Sequence, residues 1–189
     1  MRPTTVPEPG MENFLHIAAI WMHILGIALF VGPQFFLAFA WVPASRGITD
    51  LPTRVKAMRT VTRRFGYIGG AGLVLIVIAG SYLIATWRDY YSQPDDLEFT
   101  SIRYGVIFII KMLVLLVMLT VVGIHTFVTG PRLVERLEAQ ASGERVLDDD
   151  IRSLRRQSMV LSITGLVLVL AIMVMGASMS STNYSFQDV

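Results

Sequence analysis

Few side chains in this sequence could do chemistry, and they recur at helical spacing. The chain holds three histidines, ten methionines and no cysteine. Without thiolates there can be no disulfide, iron–sulfur cluster or cysteine metal site. A metal or heme would have to be held by His, Met, carboxylate, Lys or Tyr. His16 and His23 are seven residues apart in one apolar run, and Gln34 follows in the same run. At about 100° per residue, His16 and Gln34 each fall within roughly 20° of His23, so all three share one helix face. In a second run Tyr104, Lys111, Met118 and His125 recur every seven residues and form another stripe. Met173, Met175 and Met179 close a third run. Imidazole and thioether donors together suit Cu(I).

The elements that position these residues are membrane spans. Hydrophobic residues make up 53% of the 189-residue chain and charged residues 16%, against about 25% charged in soluble domains. Crossing the hydrocarbon core takes about 20 apolar residues. Four runs qualify: 13–42, 65–87, 102–129 and 157–180. The expected fold is therefore an all-α integral membrane protein, a single four-helix transmembrane bundle over 13–180. Short tails flank it at 1–12 and 181–189, and the segments 43–64 and 130–156 connect spans. Trp41, Tyr82, Trp87 and Tyr104 sit near span ends, as interfacial anchors do. The N-terminus, with Arg2, Glu8 and Glu12 ahead of a long apolar run, does not resemble a cleaved signal peptide.

Basic residues set the expected orientation. Segment 43–64 holds Arg46, Arg54, Lys56, Arg59, Arg63 and Arg64, and segment 130–156 holds six more arginines. The opposite side holds only Arg2, Arg88 and Arg103. By the positive-inside rule both basic segments are cytoplasmic and both termini are non-cytoplasmic. The expectation is a multi-pass protein of the cell inner, cytoplasmic membrane. The charges lie in connecting segments rather than on a folded basic face, so nucleic acid is not an expected partner.

Within 130–156, Leu133 and Leu137 share a helix face, Pro131 should bend or restart the helix, and Asp148, Asp149 and Asp150 suit a helix N-terminus. Gly66, Gly69, Gly70, Gly72 and Gly80 in span 2, with Ser158, Ser162, Gly165 and Gly176 in span 4, are small residues of the kind that let membrane helices approach closely.

Ionisable residues inside a span are costly and need a partner. Spans 1 and 3 enter from the same side, so His23 and Lys111 lie at nearly the same depth. His125 lies roughly 20 Å deeper, which argues against His23 and His125 as two axial ligands of one heme. No Asp or Glu interrupts a span. The partner of Lys111 is then a bound anion, a backbone carbonyl, water, or nothing if the amine is neutral. Plainer roles stand beside these: methionine as core filler, His16 solvated near an interface, and His125 as an interfacial hydrogen-bonding residue.

Tyr104-Gly105 followed by Lys111, the stretch Leu15-His16-Ile17-Ala18-Ala19-Ile20-Trp21-Met22-His23-Ile24-Leu25-Gly26, and Ile78-Ala79-Gly80-Ser81-Tyr82-Leu83 together resemble the four-helix membrane domain of the copper resistance protein D (CopD) family. More distantly they resemble HemJ-type membrane proteins. The CopD resemblance implies copper handling at the cytoplasmic membrane. The HemJ resemblance implies heme b and oxidation of protoporphyrinogen, with His23 and Lys111 at the positions of that family's His and Lys and Ile20 where it carries another Lys. Three functions follow as expectations. One is a copper-handling protein with metal ligands His16, His23, Met175 and Met179. Another is a redox protein whose cofactor-binding set, His23, Lys111, Tyr104 and His125, holds one b-type heme. The third is a non-catalytic accessory subunit whose helices pack against a larger membrane complex, its polar stripes satisfying one another; a homo-oligomer is the other expected partner. No hydrolase constellation, phosphate loop or carboxylate-rich metal motif is present.

Overall fold

The computed structural model describes residues 10–189. The first nine residues of the expected N-terminal tail, Arg2 and Glu8 among them, lie outside the described residues. The described chain is all-α, with four helices long and apolar enough to cross a membrane: α1 (Met11–Ser45), α2 (Leu51–Ala85), α4 (Arg103–Ala141) and α5 (Asp148–Ser180). Short helices α3 (Trp87–Tyr91) and α6 (Thr182–Ser185) follow α2 and α5.

These helices have 33 to 39 residues. At 1.5 Å per residue they reach about 50–58 Å, well beyond a hydrocarbon core of about 30 Å. The excess lies at the basic ends. The expected connecting segments are therefore mostly helical, interrupted only at 46–50 and 142–147. The cause is a small apolar core outside the spans. Val55, Leu137 and Ile151 are buried, and Leu51, Met58, Leu133, Val134 and Val146 pack against them. The Asp50 carboxylate accepts the Thr53 amide hydrogen at 3.0 Å and so caps the start of α2. Its hydrogen bonds from the Thr53 side chain and backbone hold it below its ordinary range.

Both α1 and α4 contain one turn of π-helix, Leu37–Trp41 and His125–Thr129. Each lies just ahead of a proline, Pro43 and Pro131. In an α-helix the proline ring would press on the carbonyl four residues back, at Phe39 and Phe127. Widening that turn relieves the clash and lets the helix continue, so Pro131 neither stops nor restarts it.

The chain forms two compact units. One comprises the described residues up to Pro33 with Tyr67–Asp95; the other comprises Gln34–Gly66 with Asp96–Val189. In the first, α1 and α2 approach to backbone contact. A Cβ on Gly26 would lie 2.8 Å from the Gly72 carbonyl oxygen, and one on Gly72 would lie 2.7 Å from that of Gly26. Of the span 2 glycines, Gly72 makes this crossing and Gly69 touches Phe30, while Gly66 and Gly70 face open space. In the second unit α4 packs along α5, with Gly165 against Val122. Residues 182–189 fold back on the start of α4 there. The Arg103 amide donates to the Gln187 carbonyl at 3.0 Å, and the Val189 amide donates to the Ser101 carbonyl at 3.2 Å. Ile102 and Ser185 are fully buried as a result.

Candidate functional site

In the first unit the functional side chains are the two histidines of α1. Ile17, Trp21 and Ile24 are exposed, as lipid-facing residues are, while His16 on the other face is only 7% exposed. The imidazole of His16 stacks on the phenol ring of Tyr90, with centroids 3.5 Å apart and planes 11° from parallel. Tyr90 comes from α3, in the segment between spans 2 and 3. Tyr91 meets Tyr90 edge-on at 5.0 Å. Burial, and then the charge Tyr90 would carry, push the Tyr91 phenol up. Tyr91 therefore keeps a neutral hydroxyl at the edge of the stacked pair.

His23 lies two helical turns further in. Its ring rests over Gly80 of α2, where a Cβ would come within 3.2 Å of Cε1 and 3.4 Å of Nδ1. Any residue other than glycine would push the imidazole away. His16 and His23 share a face, but seven residues of helix set them about 10 Å apart. One metal ion cannot bind both, since metal–imidazole bonds are about 2 Å long. They are two successive positions.

In the second unit, Tyr104 is 6% exposed. It stacks on Phe186 at 5.4 Å with planes 10° apart and meets Phe99 edge-on at 6.0 Å. Gly105 makes this closure possible, because a Cβ there would collide with the backbone carbonyl of Phe99. The Arg103 guanidinium lies 5.0 Å over the Tyr184 ring. Lys111 is half-buried, with Nζ 3.9 Å from the place a Cβ would take on Gly176 of α5. No carboxylate pairs with it among the described residues. His125 begins the π turn of α4. Its Nε2 lies 3.2 Å from the Ser162 hydroxyl, and its Nδ1 is buried with no partner among the described residues. Met175 and Met179 are four residues apart on α5, on one face, Met179 buried and Met175 half-buried.

The structure thus seats His16 and His23 in one unit, and Tyr104, Lys111, His125, Met175 and Met179 in the other. Among the described residues no three of His, Asp and Glu gather as a metal cluster. Sequence reasoning did not find Tyr90, Phe186 or the facing of Gly80 on His23. Only the aromatic content of the segments after spans 2 and 4 hinted at the two rings. It placed Gly176 and Ser162 in a packing surface without identifying Lys111 and His125 as what they pack against. No protein-family model, no curated protein and no solved structure matches this chain.

Proposed function

We propose that this multi-pass membrane protein handles copper at the cytoplasmic membrane, as its resemblance to the CopD family implies, with its basic helix ends in the cytoplasm. The observation that carries this reading is the pair of imidazoles on the inward face of α1. His16 is buried against Tyr90, and His23 is set over bare backbone at Gly80. Imidazole binds a metal as a neutral nitrogen donor, and no carboxylate interrupts the apolar spans. Such a set favours a soft monovalent cation over a hard divalent one. Their separation makes them two stations for a cargo ion rather than one chelate. Met175 and Met179 supply a separate pair of soft thioether donors.

The test is a Cu(I) competition titration against a chromogenic chelator, on protein purified in mild detergent. Wild-type protein is expected to withdraw at least one equivalent of Cu(I), and His16→Ala and Met175→Ala to withdraw less. Wild-type uptake equal to that of empty micelles overturns the reading.

The seat at Gly80 also favours a second reading, a b-type heme that His23 would hold through its imidazole. A ring held against bare backbone has its position fixed. The bound heme would supply one-electron chemistry. The chain would orient the imidazole through Gly80. A reduced-minus-oxidised visible spectrum separates the readings: a sharp α-band lost in His23→Ala and kept in His16→Ala supports heme, and a flat spectrum excludes it for the purified protein.

A further inference from the structure

Two long stretches of the chain, 11–92 and 99–188, repeat one another in construction though hardly in sequence. On the first helix of each, His16 and Tyr104, His23 and Lys111, and Pro43 and Pro131 are all separated by 88 residues. The π turns Leu37–Trp41 and His125–Thr129 obey the same offset. On the second helix the offset is 96. It relates Gly80 to Gly176 and Tyr90 to Phe186, and brings the short helix Trp87–Tyr91 close to Thr182–Ser185. The second offset exceeds the first by eight residues because α4 runs that much further beyond its π turn than α1 does beyond its own.

The contacts correspond as well as the positions. His16 stacks on Tyr90, and Tyr104 stacks on Phe186, with planes 11° and 10° from parallel. The His23 ring lies against Gly80, where a Cβ would come within 3.2 Å of it, and Lys111 Nζ lies by Gly176, 3.9 Å from where a Cβ would stand. Unrelated membrane hairpins share length and hydropathy. They have no reason to share a wide turn ahead of a proline, a polar side chain on a glycine and a stacked ring pair, all at one fixed offset per helix. Internal repeats of this kind, running in the same direction through the membrane, are a known way to build membrane proteins.

We infer that the chain is a tandem repeat of one helical hairpin, and that Gly80 and Gly176 are equivalent positioning residues, seating His23 in the first copy and Lys111 in the second. The copies keep the seat and change what sits on it. The first presents two imidazoles, and the second presents a phenol and an amine. Lys111 is then the second copy's counterpart of a functional histidine, and its Nζ lies beside Gly176. This inference does not depend on whether copper or heme is bound.

The test uses full-length protein in mild detergent, without added metal, carrying 13C-labelled histidine rings. With three histidines in the chain, removing each in turn assigns every ring signal. Gly80→Ala is expected to displace the His23 signal and leave that of His125 in place. Lys111→His is expected to add a fourth signal, which Gly176→Ala displaces while the other three stay. A fourth signal indifferent to Gly176→Ala, or a Gly80→Ala variant that moves all three rings alike, overturns the inference and makes both glycines general packing residues. If an alanine variant fails to accumulate, cross-relaxation decides. A contact from the ring at position 23 to the Gly80 α-protons, and one from the ring of Lys111→His to those of Gly176, are both expected. The absence of either overturns the equivalence.

Discussion

The basic ends of the helices and their membrane-crossing parts are held by different means. At the basic ends Val55, Leu137 and Ile151 bury branched apolar side chains against one another. Within the spans such side chains are largely exposed, as at Val74, Val77, Leu113, Leu116 and Val167. Beside a few buried apolar residues such as Met118 and Val169, the inner contacts there are made by glycine and polar groups, at Gly26 with Gly72, His23 with Gly80, and His125 with Ser162. Water rewards the burial of leucine, whereas lipid tails are as apolar as leucine and give no such reward. Close backbone approach and hydrogen bonds are what remain to hold helices together in lipid. One continuous helix such as α4 meets both regimes along its length.

That comparison can be broken most directly at the closest approach. Gly72→Leu would force apart backbones that already touch, at a cost of about 3 kcal/mol or more. A large fall in folded yield in detergent is expected; a stable variant would show that the crossing is not essential. Next in size, Leu137→Ala should cost about 2–3 kcal/mol as a cavity in a water-facing core. Its expected signature is faster proteolysis at the basic ends, with the spans still protected. Equal exposure of both regions would erase the distinction between them. Ser162→Ala should cost only about 0.6 kcal/mol, the usual worth of a hydrogen bond between membrane helices, measured by thermal unfolding in detergent. Smallest of all, Arg59→Ala removes an exposed 3.0 Å ion pair with Glu138 and should change stability by under about 0.5 kcal/mol. A larger, salt-sensitive loss would show that charge as well as apolar burial holds the basic ends.

Hydropathy made the four helices legible, because an apolar run of span length has few other solutions in water or lipid. The periodicity of Leu133 and Leu137 marked the helix beyond span 3. The same reasoning could not mark which glycine faces which side chain. Gly80 meets His23 across 57 residues of chain and Gly70 meets nothing, yet the two look alike in sequence. Tyr90 and Phe186 were equally hidden, since their segments were legible only as polar connection and tail. The candidate residues themselves stood out because imidazole and ammonium are conspicuous among leucines. Their neighbours did not, because a contact made by absence of a side chain leaves no pattern in composition.

The π turn at His125–Thr129 also has a genetic consequence. It adds one residue to the winding of α4, so that Lys111 before it and Leu137 after it are phased independently. Deleting a single residue within 125–129 would close the turn to ordinary α-helix, keep Leu137 in phase with its core and bring back the clash of the Pro131 ring with the carbonyl four residues before it, whereas a deletion elsewhere between Lys111 and Leu137 would rotate everything downstream by about 100°. Along α4 the wide turn is a place where a change of count spares the register that a deletion to either side would destroy.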